Sequence, residues 1–299
     1  MDWSGLQLLM KINRKMQMLK KLLDFFVFSN IYVALPVSAL AWTTSILFGH
    51  EVNFQIIYFV YCSTLLIYNV HRVVGLHKIE KTHLSPRHKW ALKNKPILYI
   101  GMAASALGCL YFLTKIEHSF IYFLIPSGLV AFGYSVPLIK RNGKFWRLRD
   151  LPFAKVFLIS LTVSYVTVYL PLYDFALNDW NNLTLLGFFF SRVLFVLAIT
   201  IPFDIRDVDF DAPSSLNTLP LIFGVEKARK LSIISLSLFV GLVLMLFQTS
   251  IFSALALLLS ALFTAWIVSY AKKDSSVYYY SLLVEGTMLL QFGLVYLLS

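Results

Sequence analysis

Four of the fifteen acidic residues fall within eight positions, Asp204-Ile205-Arg206-Asp207-Val208-Asp209-Phe210-Asp211. On a helix, Asp204, Asp207 and Asp211 stand at i, i+3 and i+7, within about 60° of one another, while Asp209 points elsewhere. Three carboxylates on one face repel, so something positive must hold them together. A hard divalent cation suits oxygen ligands, and magnesium in particular bridges from one or two carboxylates to substrate phosphates. The alternative is a solvated helix end whose acids pair with Arg206 and neighbouring basic loops. Pro202 and Pro213 bracket the stretch and bend or end its helix.

A second polar cluster reads Tyr68-Asn69-Val70-His71-Arg72-Val73-Val74-Gly75-Leu76-His77-Lys78. Asn69, Val73 and His77 share one helical face at i, i+4 and i+8, and Arg72 flanks it. His71, His77, His83 and His88 raise the question of zinc or haem, but their spacings do not match paired ligands on a helix. Cys62 and Cys109 lie inside apolar runs and offer neither a disulfide framework nor a zinc spacing.

Membrane helices must position these clusters. Hydrophobic residues make up 59% of the chain and charged residues only 14%, against about 45–50% and about 25% in soluble domains. Runs of about 20 apolar residues cross a bilayer core as helix. Nine such runs are predicted, near 26–48, 53–74, 97–115, 117–138, 154–174, 182–203, 228–247, 250–271 and 277–298. The short break at Lys115-Ile116-Glu117 makes the third and fourth a tight hairpin.

The cations assign the sides. Of 26 Lys and Arg residues, 24 fall in the N-terminal segment and in every second loop. The positive-inside rule therefore places the N-terminus in the cytoplasm and, with nine spans, the C-terminus outside. The net charge of +11 sits between hydrophobic spans, where it sets topology and attracts anionic lipid headgroups, so membrane lipids rather than nucleic acid are the expected partners. The expected protein is a multi-pass membrane protein (of the cell membrane in a bacterium), all-α, with a single domain over 1–299. Residues 1–25 mix Met, Leu and Ile with five Lys or Arg and read as a cytoplasmic amphipathic segment rather than a cleavable leader.

With these features in place the sequence resembles the UbiA superfamily of intramembrane prenyltransferases. That family has nine transmembrane helices and two acidic motifs on cytoplasmic loops, after the second and sixth. The stretch from Asp204 to Asp211, followed by Asn217-Thr218-Leu219 and Phe223-Gly224, is similar to the family's second motif. Asp207 and Asp211 match its DxxxD and Asp204 a preceding acid. Phe132-Gly133-Tyr134-Ser135-Val136-Pro137-Leu138 resembles the tyrosine-containing end of the family's fourth helix.

The first motif, NxxxDxxxD, is degenerate. Asn69 matches its asparagine, but Val73 and His77 replace its aspartates, and Ser215-Leu216 replace a Gly-Lys that follows the second motif. Valine binds no metal, and Glu80 is the nearest acid on that face. The resemblance implies a prenyltransferase acting on an allylic prenyl diphosphate and a lipophilic acceptor with Mg2+, held by Asp207 and Asp211 with Asp204 beside them. Asn69, Arg72, His77, Lys78, Tyr134 and Lys155 are the expected substrate contacts, with the fixed cations replacing the second magnesium. Aromatic side chains, 16% of the chain, suit an allylic cation.

Two other classes stay open at this point. One is a non-catalytic UbiA-like protein that binds lipid or organises a partner; the other is a transporter, for which paired interrupted spans and midplane ligands are expected. Within the spans, Arg192 and Glu285 are expected to face the interior and to pair.

Overall fold

A computed structural model of the chain describes residues 3–76, 85–136, 139–141, 144–178, 182–212, 217–248 and 250–298. Helices form nearly all of it. The first, α1 (Trp3–Phe28), meets α2 (Ile31–Leu47) at a 56° bend. The bend is made by Asn30, whose φ of 65° lies in the left-handed region that asparagine tolerates better than most residues. The chain continues through α3 (Phe54–Leu76), the short α4 (Pro86–Lys93), α5 (Lys95–Leu113) and α6 (Phe120–Ser135). A two-stranded antiparallel hairpin, β1 (Ile139–Arg141) and β2 (Lys144–Trp146), leads to α7 (Ala154–Val168) and α8 (Tyr173–Asn178). The long α9 (Leu183–Asp211), the one-turn α10 (Leu219–Phe223), α11 (Val225–Leu246), α12 (Ile251–Ser269) and α13 (Glu285–Leu298) complete it; a π-helical segment, Tyr279–Val284, runs directly into α13.

Each of the nine predicted apolar segments is helical. Among the described residues, six helices are long and apolar enough to cross a membrane, or seven with the bent pair α1–α2 counted as one span. The helices over Phe120–Tyr134 and Ala154–Val168 are apolar but shorter. The break expected between the third and fourth segments falls between Leu113 and Phe120, but the helices it joins do not pack as a tight hairpin: α5 packs on α3 and α6 on α7. The N-terminal segment is helical as well. From Met16 to Phe26 it exposes Met16, Met18, Leu19, Leu22, Leu23 and Phe26.

Small residues let the helices approach. A Cβ on Gly108 of α5 would stand 2.6 Å from Cys62 Sγ on α3, and one on Gly101 would stand 3.1 Å from Asn69 Nδ2. These glycines bring two backbones close enough to bury Asn69, as small residues do between membrane helices. The main core gathers Leu40, Ile56, Phe120, Phe195, Phe239 and Tyr280, with much of the rest of α2, α9 and α12. A second cluster, Val156, Leu197, Ile201, Ile205, Leu219 and Ala228, ties the start of α7 to the end of α9, and to α10 and α11. Its members Val156 and Ile205 are the chain neighbours of Lys155 and Asp204, so apolar packing fixes the base of the acidic cluster.

The buried polar groups depart from one expectation. Arg192, 1% exposed, donates to Gln291 Oε1 at 2.9 Å and Thr44 Oγ1 at 3.3 Å, and its guanidinium lies 5.1 Å from the Phe188 ring. Gln291 in turn donates to Ser260 Oγ at 3.1 Å. Arg192 therefore does not pair with Glu285. A neutral amide with a free carbonyl satisfies the guanidinium, and Glu285 stands instead among arginines at one end of the bundle.

Candidate functional site

The C-terminal ends of α3 and α9 and the N-terminal ends of α7 and α13 meet at that end. In α9, Asp204, Asp207 and Asp211 share one face, as the spacing predicts. They converge on Lys155 of α7, whose Nζ lies 2.8 Å from Asp204 Oδ1, 3.3 Å from Asp211 Oδ2 and 3.8 Å from Asp207 Oδ2. Asp209 points away, two-thirds exposed, with Lys273 Nζ at 3.8 Å. The positive charge that the three carboxylates require is supplied within the protein.

The backbone before α7 aims that lysine. Phe153, the residue before the helix, has φ 60°, an uncommon conformation for a bulky side chain. It is held there by its N–H donating to Asn217 O at 3.1 Å and by its ring stacking on Phe223. Such over-determined strain clusters at functional sites. Arg149, Lys155, Asp204 and Thr218 line a cavity of about 10 Å3, the scale of a single water. Thr218 Oγ1 and Arg149 Nε, both buried beside it, have no hydrogen-bond partner among the described residues.

Arg206 adds a second cation. Its Nε and Nη2 donate to the two oxygens of Asp207 at 2.7 and 3.0 Å, a bidentate pair. The guanidinium lies over Phe203 at 4.9 Å and over Tyr280 at 5.5 Å. The alternative in which Arg206 neutralises the acids is thus realised for Asp207, alongside Lys155.

On the other side of the mouth Asn69 belongs to a hydrogen-bond relay. Asn30 Nδ2 donates to Asn69 Oδ1, and Arg72 Nη2 donates to Asn30 Oδ1, both at 2.8 Å. Asn69, 1% exposed, is committed to orienting Asn30 and, through it, Arg72. His77, Lys78 and Glu80 lie outside the described residues. Tyr134 stands apart from the aspartates: its ring meets His71 at 5.1 Å and the guanidinium of Arg149 at 5.2 Å. It reaches the site only through Arg149. Nearby, Arg147 grips Asp150 through Nε and Nη2 at 2.9 and 2.8 Å and holds that carboxyl below its usual range although desolvation acts the other way.

Two more residues complete the mouth: Arg87, which sequence reasoning passed over, and Glu285, which it expected to pair with Arg192. Arg87, in the first turn of α4, and Glu285, the first residue of α13, interact electrostatically with Arg72, Arg206 and each other. Arg87 read only as a topology-setting cation. Its one sequence signal is the run Ser85-Pro86-Arg87-His88, a helix start that presents it at a fixed place. Ser85 caps α4 by accepting from His88 N at 3.4 Å. Counting Arg72, Arg87, Arg149, Arg206 and Lys155 against Asp204, Asp207, Asp211 and Glu285, five cations meet four anions.

Whether this site fits magnesium is decided by its donors. Among the described residues, no three carboxylate, imidazole or thiol groups stand together as a ready-made metal site. Asp207 and Asp211 nevertheless turn oxygens toward one position, occupied by the Lys155 ammonium as a stand-in cation, and two carboxylates suffice when phosphate oxygens complete the shell. The donor set fits, provided Lys155 yields its place.

The comparisons with known proteins bear on the fold. No protein-family model and no curated protein matches the sequence. In structure the chain is similar to a UbiA homologue from Archaeoglobus fulgidus described as bound to GPP and Mg2+. The identity is 13% and the TM-score 0.63, over 92% of this chain and 99% of that one. The chain has the UbiA fold. The same homologue bound to DMAPP and Mg2+ aligns with TM-score 0.57 at 13% identity, over 92% of this chain and all of that one. A structure described in work on digeranylgeranylglyceryl phosphate synthase in membranes aligns with TM-score 0.51 at 14% identity, over 93% and 96% of the two chains. A UbiA-like bundle thus extends over nearly the whole chain, and its apolar helices make it a multi-pass membrane protein.

Proposed function

We propose that this chain is a UbiA-like membrane prenyltransferase that takes an allylic prenyl diphosphate, with magnesium, at the cytoplasmic end of its bundle. The observation that carries the reading is the convergence of Asp204, Asp207 and Asp211 on one cation position, at the end of a fold shared with homologues described as bound to prenyl diphosphates and Mg2+. The crowding of 24 of 26 Lys and Arg residues into alternate connections supports the side, with the N-terminus cytoplasmic and the C-terminus outside. Residues 1–25 then lie on the cytoplasmic membrane surface.

Asp207 and Asp211 would hold the metal, which when bound supplies divalent charge to the leaving diphosphate. Asp204, the most buried of the three, stays with Lys155 and keeps that ammonium beside the phosphates. Arg72, fixed by Asn30 and Asn69, donates to the diphosphate in place of the metal that the first motif lacks, and His77 and Lys78 follow it in sequence. Arg149, stacked on Tyr134, borders the site behind Lys155. Fixed donors of this kind stabilise charge that develops on the leaving oxygen as the allylic C–O bond ionises. A lipophilic acceptor then takes the cation.

Charge balance shapes the binding order. The carboxylates are already paired with Lys155 and Arg206, so magnesium alone meets little unpaired charge, and diphosphate entering with it completes its shell. Entered together, the two ions nearly cancel, so they bind as a pair. One observation favours the alternative of a non-catalytic lipid-binding relative: Lys155 and Arg206 already satisfy the aspartates without a metal. Titrating magnesium into the purified protein with a non-hydrolysable prenyl diphosphate analogue separates the two. Metal-stimulated binding that Asp207→Asn or Asp211→Asn abolishes and Asp209→Asn spares supports the enzyme. Equal effects at all three positions would reduce the cluster to a solvated helix end.

A further inference from the structure

We infer that α1 is a docking surface for anionic lipid, with its apolar arc in the membrane interface and its cations against the headgroup phosphates. The inference rests on the placement of residues 1–25 at the membrane surface and names the chemistry that holds them there. It is independent of the prenyl diphosphate reading.

Residues 13–23 are exposed on every side, so the bundle covers no face of this stretch. On a helix, Met16, Met18, Leu19, Leu22, Leu23 and Phe26 fill an arc of about 160°. All six are exposed, by 38–63%. Asn13, Gln17 and Asp24 occupy the opposite side, where Gln17 Nε2 donates to Asn13 Oδ1 at 3.5 Å. Lys20 borders the arc on one edge, and Arg14 and Lys21 border it on the other. Lys15 lies within it, on a stem long enough to carry its ammonium out to the headgroups. Among the described residues none of these four cations joins an ion pair. A helix with no packed face is marginal in water, so the arc calls for a cover.

The far end of the helix is pinned. Asp24, the only acid in α1, accepts a hydrogen bond from the Tyr278 hydroxyl at 2.5 Å. The Phe28 ring stacks on Tyr278 at 6.3 Å and meets Trp90 at 6.0 Å. From this clamp α1 departs 56° off the line of α2, at the end of the bundle where Asn30 joins the two helices. Held there, the arc stays off the spans and open to what lies beside the mouth. Charge selects the cover. With Asp24 committed to Tyr278, Arg14, Lys15, Lys20 and Lys21 have no free acid between residues 13 and 28. A second copy of α1 laid on the arc would bring four more cations against these. An anionic lipid surface answers both features, since acyl chains accept the arc and headgroup phosphates meet the cations along its borders.

The test is hydrogen exchange, read by mass spectrometry, on the full-length protein in lipid nanodiscs of phosphatidylcholine with and without phosphatidylglycerol. Both leaflets of a disc share one composition, so the result holds whichever side the N-terminus takes. Amides of residues 13–23 are expected to exchange at least about tenfold more slowly when about a third of the lipid is phosphatidylglycerol. Replacing Arg14, Lys15, Lys20 and Lys21 together with Gln should abolish that difference, and Leu19→Ser with Leu22→Ser should speed exchange in both lipids. Wild-type exchange in α9 and α12 shows that each variant keeps its bundle. Equal exchange of wild-type α1 in the two lipids, or a charge variant that keeps the difference, would overturn the inference. So would protection that instead rises with the number of protein copies per disc, as pairing of two α1 helices would give. None of these outcomes touches magnesium-dependent binding at Asp207 and Asp211, which has its own titration.

Discussion

Replacing Lys155 with Met removes the ammonium that three carboxylates share and leaves an apolar chain of similar length. Asp204 loses most: its side chain is 2% exposed and Lys155 Nζ stands 2.8 Å away. At an effective dielectric of about 20 that contact alone is worth roughly 6 kcal/mol before desolvation is counted. Breaking one side of a buried pair costs about 3–5 kcal/mol in practice, because the remaining charge is stranded. Lys155→Met is therefore expected to lose about 3–5 kcal/mol of unfolding free energy, read by denaturant titration in mixed micelles. Adding Asp204→Asn to Lys155→Met should recover a large part of the loss, since the stranded charge is gone. Millimolar magnesium should recover part of it in the single variant, by placing a cation between Asp207 and Asp211. A loss under about 1 kcal/mol, typical of an exposed pair, would refute the reasoning, as would a double variant no more stable than the single one.

Two further outcomes follow from local geometry. Gly108→Ala places a Cβ 2.6 Å from Cys62 Sγ and should cost about 1–3 kcal/mol by overpacking, most of it restored by Cys62→Ala in the same titration. Desolvation first, and then Arg72 and Arg87, lower His88 from 6.5 to about 4, so the stability its neutral form lends is complete above pH 6.5 and is lost as pH falls toward about 4. Acid melts of His88→Gln should lack that part of the decline, and a variant with the wild-type slope would contradict the assignment.

The sequence made the helices and the acidic face legible for the same reason. Apolar length marks a span, and a 3.6-residue period puts Asp204, Asp207 and Asp211 on one side without any tertiary knowledge. It did not reveal what those carboxylates face, because Lys155 reaches them from another helix and only the bend at Phe153 aims it. Asn69 was singled out by its position in a motif. Its work, holding Asn30 so that Asn30 can hold Arg72, depends on a left-handed residue at the α1–α2 break that no periodicity announces. Arg192 and Glu285 were matched by opposite charge, the one pairing signal a sequence offers; Gln291, a neutral partner, carries no such signal. Arg87 was hidden among loop cations that all serve topology equally well.

As proposed above, this UbiA-fold protein ionises an allylic prenyl diphosphate. The measurement that meets it most directly is diphosphate release by the wild-type protein offered prenyl diphosphates of several lengths, with candidate lipophilic acceptors. The expected result is release that magnesium stimulates and that Asp207→Asn abolishes. Tight binding of prenyl diphosphates with no release, for every length and acceptor, would contradict it and leave a lipid-binding relative of the enzymes that share its fold.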